Sequence, residues 1–568
     1  MTLNNSTVTH NTSAGRGSGI FNAGELTLNN STINDNGGSG IFNGGPLVLT
    51  NSTVSGNIGG GINNASTLTL YNSIISGNTA DSGGGIWNGG TVTMYGSTIS
   101  NNMAGSGGGI YSPGGTLNLN NSTVSGNAAN GDGGAIQNWG TLTLNNSTVS
   151  GNTAQGSGGG ISSSGGTATL ENSVLAENTA DTSGADCNGT IGSAGYNLIG
   201  DTSGCTFSPG AGDQTDVEPS LGPLLGPLSA PWYHPLLLGS PAIDAGNPAG
   251  CTDHLGDPMD TDQRGAPRVG RCDIGAYEYT TPGPADSIFA FEGTPQRTPP
   301  FFPFDTPLQA LVLDSIGSPV DEDTVTFSGP TSSASGTFVD SGTHTTTALT
   351  DQRGLATATT FTANGLQGEY TVTATVNGVV NPALFLLRNI GWYVSSSGDD
   401  VNDCQTPTTP CATINAVLAK TGFVAGDTVL VAHATYTGTG DEVVLLDKDV
   451  TLSGGWHDTF STQSGSSTID GEESRRGLTV DQGVAATIEY FTVRSGSAYV
   501  GGGIYNQFGT LTLNDSSIQG NSAPGGYGGG VANNAGTLIL NNSTVSGNTG
   551  FMGGGICNQQ PSGTLTLN

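Results

Sequence analysis

Leu142-Thr143-Leu144-Asn145-Asn146-Ser147-Thr148-Val149, with near copies at Leu26 to Ile33, Leu117 to Val124 and Leu538 to Val545, decides the fold of this chain. Self-similarity at a fixed spacing marks a repeat architecture. Counted on the serine of each copy (Ser6, Ser31, Ser52, Ser73, Ser97, Ser122, Ser147, Ser173), successive differences are 25, 21, 21, 24, 25, 25 and 26 residues, the length of one solenoid coil. Each repeat carries three short strand signals bounded by Gly or Asn: Gly-Gly-Ile-x-Asn, Thr-Leu-Thr-Leu and Ser-Thr-Val-Ser-Gly-Asn. The expectation is an all-β, right-handed parallel β-helix with three strands per coil. Strand alternation turns Leu68 and Leu70 inward and Thr67 and Thr69 outward, so coils stack Leu on Leu around a thin apolar column. The Gly-Asn pairs (Gly56-Asn57, Gly77-Asn78, Gly126-Asn127, Gly151-Asn152, Gly547-Asn548) suit the bends, because both residues tolerate positive φ and stacked Asn amides can bond from coil to coil.

Composition agrees with a repeat protein: 95 glycines in 568 residues and only 10% charged residues. Twelve Lys and Arg against 44 Asp and Glu leave a formal charge of −32, which repels nucleic acid and anionic lipid. No run of eighteen apolar residues is present, so no helical membrane insertion is expected, and no signal-peptide pattern appears. The chain starts and stops inside repeats, at Thr2-Leu3-Asn4-Asn5-Ser6-Thr7-Val8 and Thr564-Leu565-Thr566-Leu567-Asn568, so it is expected to be a fragment of a longer protein whose other parts carry export signal and anchor. The Asn-Ser-Thr triplets at Asn30, Asn51, Asn121, Asn146 and Asn542 spell glycosylation acceptors but are by-products of the repeat.

Four units follow from the changes in pattern. Residues 1–200 are β-helix repeats, whose Gly108-Gly109-Ile110, Gly133-Gly134-Ala135-Ile136 and Ile20-Phe21-Asn22 phrases resemble those of chlamydial polymorphic outer-membrane proteins and other bacterial right-handed β-helix surface proteins. Residues 201–281 contain Ser240-Pro241-Ala242-Ile243-Asp244-Ala245-Gly246, Thr261-Asp262-Gln263-Arg264-Gly265 and Cys272-Asp273-Ile274-Gly275-Ala276-Tyr277-Glu278. In that order these are similar to the choice-of-anchor segment that follows such helices, and the expected role is a cap closing the column. Residues 282–388 alternate as a β-sandwich. Thr350 to Ala356 and Gly368 to Ala374 resemble the bacterial immunoglobulin-like modules of invasin and intimin, which implies a spacer, with the Pro-rich Thr294 to Pro307 as lead-in. Residues 389–568, from Trp392-Tyr393-Val394 through a short amphipathic helix ending near Ala419, look like the N-terminal cap and coils of a second, pectate-lyase-like β-helix.

The β-helix fold also carries polysaccharide lyases and hydrolases, which need a base beside calcium-binding acids or clustered aspartates. Residues 1–200 hold one cation, Arg16, no lysine, and acids (Glu25, Asp35, Asp81, Asp132, Glu171, Glu177, Asp181, Asp186) spread along the coils without a paired constellation. No catalytic residue is assigned, and the expected function is a non-enzymatic secreted or surface repeat protein, an adhesin or stalk. The alternative is a polysaccharide-degrading enzyme of lyase or hydrolase class, and a remote alternative is an ice-binding threonine ladder, interrupted at Val48, Asn118 and Ile539. His10, His234, His254, His344, His433 and His457 are isolated and show no zinc spacing. Calcium is the one candidate cofactor, at Asp244, Asp260, Asp262 and Asp273. The residue between Ile and Asn in the first strand of each coil forms an outward aromatic column, Phe21, Phe42, Trp87, Tyr111 and, in the second helix, Tyr505. A glycan or a surface protein could stack there, unless neighbouring bends fold over the rings. Exported context predicts disulfides Cys404–Cys411, Cys251–Cys272 and Cys187–Cys205, leaving Cys557 free, in a monomeric rod.

Overall fold

The computed structural model describes residues 1–13, 17–226, 232–559 and 563–568; Arg16 lies outside them. Residues up to about 215 form a parallel β-helix in which equivalent positions of consecutive coils pair in register. Leu47, Leu68, Val92, Leu117 and Leu142 stack along one strand column. Ile41, Ile62, Ile86, Ile110, Ile136 and Ile161 stack along a second. Val54, Ile75, Ile99, Val124 and Val149 stack along a third. All of them are buried in one continuous cluster. Glycine at the head of the Ile strand is dictated by this stacking: a Cβ on Gly85 would meet Gly109 O at 2.7 Å and the Ile99 side chain at 3.0 Å.

Three strands per coil hold for the shorter coils, but coils from Ser73 onward gain a fourth. Thr79–Ser82, Met103–Ser106, Ala128–Ala129, Thr153–Ala154 and Thr179–Ala180 form their own parallel sheet. The reason is length: the coils of 21 residues turn directly into the next Gly-Gly-Ile strand, while those of 24 to 26 have residues to spare at that bend, which pair with one another. At the far end Ile161–Glu171 runs through both the Ile and the Leu positions as one strand, merging the two columns into a single sheet.

Three polar ladders run beside the apolar column, one of them joining Asn22, Asn43, Asn64 and Asn88 through their amides. Each Asn after a left-handed bend residue (His10, Asp35, Gly56, Gly77, Asn101, Gly126, Gly151, Glu177) is joined by its amide to the next coil's Asn, from Asn11 through Asn36, Asn57, Asn78, Asn102, Asn127 and Asn152 to Asn178, at 2.8–3.0 Å. The chain of donors ends on Asp186, which accepts both the backbone N–H and the side-chain amide of Asn178. A parallel series runs from each backbone N–H to the next serine hydroxyl (Ser6, Ser31, Ser52, Ser73, Ser97, Ser122, Ser147, Ser173), then through Asn197 to Asp213. A carboxylate accepts and has nothing left to donate, which suits the last rung.

The expected end cap behaves differently. Cys205–Phe207 covers the last coil, pairing with Gly189 to Ile191. The segment from Trp232 to Tyr277, by contrast, runs back along the flank of the β-helix. It lies over the outward side of the Ser-Thr-Val-Ser strands: Thr98 Oγ1 donates to Trp232 O, Thr123 Oγ1 to Gln263 Oε1, and the Asn121 and Asn146 amides to Thr261 O and Thr252 O. Under this strap Thr98, Ser100, Thr123, Ser125, Thr148 and Ser150 are buried, although alternation points them away from the core.

The sandwich follows, with sheets Ser287–Glu292, Gln309–Leu313, Leu355–Thr357 and Gln296–Thr298, Ala383–Asn389, Gly368–Val376, Thr324–Ser328, Thr345–Leu349 around Phe327, Phe338, Phe361 and Phe385. Part of the expected Pro-rich lead-in is thus an edge strand, Gln296–Thr298, pairing with Leu387 to Asn389. Both ends of the module are fixed. Leu311, Leu313 and Leu355 pack with Tyr233, Ile274 and Tyr277 of the strap. On the other side Arg297 pairs with Asp427 at 3.0 Å, and Phe302 meets Trp456.

The second β-helix starts at Trp392–Val394, buries Trp392 against Phe423, and caps its first coil with the helix Ile414–Leu418, N-capped by Thr413. Its coils repeat two of these ladders, Asn506 to Asn533 to Asn558 in the Ile-strand position of Asn22 to Asn88, and Asn521 to Asn548 in the bend position. Among the described residues no helix is long and apolar enough to cross a membrane.

Candidate functional site

The aromatic column splits into two parts. Phe21 and Phe42 sit on adjacent coils in register, with ring centroids 5.2 Å apart and planes 7° from parallel. Phe21 is 60% exposed, while Phe42 is buried, so one face of the stack is open. Asn63 interrupts the column. Trp87 and Tyr111 then pair on neighbouring coils, half-buried. The Trp87 ring lies across its own bend, where a Cβ on Gly89 would meet it at 2.8 Å. In the second helix Tyr505 stands alone on its coil, with the Arg476 guanidinium 5.1 Å from its centroid and Asn534 donating to its hydroxyl. The geometry therefore makes the Phe pair an open platform and leaves Trp87 folded back.

The four aspartates of the strap are not gathered into one site. Asp244 and Asp260 are exposed. Asp262 is buried and accepts from the backbone of Arg264, Ala266 and Glu278, besides an ion pair with Arg264 at 2.7 Å. Asp273 accepts from the N–H groups of Asp244 and Tyr279, and Glu278 pairs with Arg268 at 3.1 Å. These carboxylates hold the strap's own turns. Burial, and then the neighbouring Glu278 charge, push the Asp273 carboxyl up to about 7. Among the described residues no three His, Cys, Asp or Glu side chains converge as a metal set. The cysteines pair as Cys187–Cys205, Cys251–Cys272 and Cys404–Cys411, with Cys557 free.

Two constellations escaped the sequence. Ser125 Oγ lies 2.8 Å from His234 Nε2, whose Nδ1 faces Gly222 O at 2.8 Å. Both are buried under the strap, no acid backs the imidazole, and burial pulls the histidine below its ordinary value, so the pair pins strap to coil. The second is a cleft of about 710 Å³ where coils, strap and sandwich meet, lined by Asn51, Asn72, Tyr95 and Asn121 from the bends, Met259 to Pro267 from the strap, and Ser315 to Gly317 from the sandwich. Tyr95 of the lining stacks on Tyr71 of the preceding coil at 5.3 Å with planes 9° apart. Burial, and then the nearby Asp253 carboxylate, raise the Tyr95 phenol above its ordinary value. A tyrosine following Leu-Thr-Leu or Val-Thr-Met in two consecutive coils, 24 residues apart, was the signal in the sequence.

The comparisons place little beside these observations. No protein-family model matches the chain, and no curated protein matches it. A solved structure of a mutant of AlyGC, a PL6 family alginate lyase, is similar over 100% of this chain and 76% of its own, at 10% identity and a TM-score of 0.29, a likeness too slight to bear on what this protein does.

Proposed function

We propose that this chain is a non-enzymatic extracellular or cell-surface rod that serves adhesion or acts as a stalk, and that a glycan or a surface protein docks on its aromatic column. The observation that carries the reading is the Phe21–Phe42 stack: two coplanar rings on successive coils, one of them mostly exposed, on a scaffold fixed by register. Rigid rings repeated along a rod give contact area at low entropic cost and avidity from weak individual sites. Support against chemistry comes from the acids themselves, since Asp186, Asp262, Asp273 and Glu278 are occupied by backbone N–H groups and arginines.

The test is a glycan array and a host-cell binding assay with the full chain. Phe21→Ser and Trp87→Ser with Tyr111→Ser should each weaken binding several-fold while leaving the far-ultraviolet spectrum and Tm unchanged. A Tm lowered by many degrees would make the rings packing residues. Release of unsaturated or reducing sugars from pectin or alginate, with or without calcium, would replace this reading by the enzymatic one.

A further inference from the structure

We infer that the cleft beside Tyr71 and Tyr95 is a second binding site, distinct from the Phe column, and that it takes an uncharged oligosaccharide. The inference rests on the adhesive reading and adds a surface which that reading did not include. Its basis is what the strap does to a row of asparagines. Asn51, Asn72, Asn121 and Asn146 occupy the same left-handed bend position in successive coils, with Gly96 in the coil between Asn72 and Asn121. Stacked coils space such positions about 4.8 Å apart. Where the strap lies on the helix it fills this row, receiving the Asn121 and Asn146 amides on its carbonyls. Beyond the strap's edge the row continues as Asn72 and Asn51, which line the cleft and whose amides have no partner among the described residues.

Alongside those amides runs the Tyr71–Tyr95 stack, with Tyr71 42% exposed. The back ring is held: His254 packs 6.2 Å away, its backbone N–H donating to Asn120 Oδ1. A flat aromatic face beside amides that both donate and accept suits a sugar ring, whose C–H face stacks while its hydroxyls bond in both senses. Charge selects within sugars. Asp262 lines the cleft, the Asp253 and Asp257 charges act on its Tyr95, the chain carries −32, and Arg264, the cation in the lining, is committed to Asp262, Ser318 and the Tyr277 ring. Uronic-acid and sulfated polymers are repelled; neutral hexose or pentose chains are not.

Cello-, xylo- and mannohexaose titrated calorimetrically into the full chain provide the probe, with oligogalacturonate and oligoalginate as charged counterparts. At least one neutral hexasaccharide should bind. Tyr71→Ala should weaken it roughly tenfold and Asn72→Ala several-fold, while Tyr71→Trp, which keeps the platform, leaves it unchanged. Loss on Phe21→Ser with no effect of Tyr71→Ala would overturn this site and keep the adhesive reading. No binding by any neutral sugar, equal binding of the charged chains, or Tyr71-dependent retention of extended neutral peptides instead of sugars would overturn the inference outright. If Tyr71→Ala lowers Tm, the Tyr71→Trp and Asn72→Ala titrations decide.

Discussion

The heptapeptide Asn-Ser-Thr-Val-Ser-Gly-Asn occurs at 51–57, 121–127, 146–152 and 542–548, and the first and second β-helices treat it differently. In all four copies it makes the same strand, Thr to Ser, the same left-handed bend at the first Asn, and the same left-handed glycine. In the first helix Thr123, Ser125, Thr148 and Ser150 are buried beneath the strap. In the second, Thr544 and Ser546 are exposed. Identical local sequence thus fixes backbone shape and leaves the fate of its outward face to whatever packs there. The first helix also ends its bend-asparagine and serine ladders on aspartates, whereas the corresponding ladders in the described coils of the second run to Asn548 and Ser543.

Removing a ladder rung should separate the two regions most. Asn102→Ala strips buried partners from the Asn78 backbone and amide N–H groups, from Ile75 O and from Asn127. Leaving several buried groups unpaired costs on the order of 4 kcal/mol. Asn548→Ala in the half-buried last rung should cost about 1 kcal/mol. Urea titration of both variants, followed by tryptophan fluorescence and near-ultraviolet signals, measures the gap, and equal costs would mean that the ladder does not depend on burial.

Acidity should act on the first helix and its strap alone. Burial lifts Asp273 to about 7 and Asp186 to about 6 from an ordinary 3.8. A carboxyl raised in this way favours the fold when protonated, so its contribution is full below the unfolded value and is lost as pH rises through the folded one. Going from pH 8 to pH 5 should therefore stabilise this region by about 4 kcal/mol, less whatever relaxation offsets. Asp273→Asn should flatten the upper part of that profile. Hydrogen exchange resolved by peptide, at the two pH values, would show protection gained over 172–278 and little change over 504–559; a uniform change would break the comparison.

The smallest effect compares matched positions within the shared heptapeptide. Thr123→Val removes the hydroxyl bonded to Gln263 and should cost about 1 kcal/mol, while Thr544→Val, on an open strand face, should be neutral. Calorimetric melting of the pair checks this, and a neutral Thr123→Val would mean that the strap is held by its own ion pairs and disulfide instead.

How much could be read from the chain follows the same division. Repeat length, inward Leu and Ile, glycine at the tight bends and asparagine in the ladders were legible, because each is imposed by nearest-neighbour stacking that recurs in every coil. The sandwich strands were legible for a similar reason, strict alternation between turn residues. The fourth strand was not, since it arises from surplus residues pairing with the same surplus one coil away. Nor was the Phe column's asymmetry, Phe21 open against Phe42 covered, which depends on what borders each ring.

The strap is the clearest case of what only the tertiary structure decided. Its motifs marked Asp244, Asp260, Asp262 and Asp273 as prominent, and the sequence alone could assign those acids to a calcium site as readily as to a lid. The folded chain spends Asp262 and Asp273 on backbone N–H groups of the strap's own turns and lays the segment on coils 75 to 166 residues earlier. Periodicity carries information about contacts at one coil's distance. Contacts at three to seven coils' distance are set by which polar side chains on the flank find matching carbonyls and amides, and that match, which creates the cleft at the strap's edge beside Tyr95, exists only once the chain has folded back on itself.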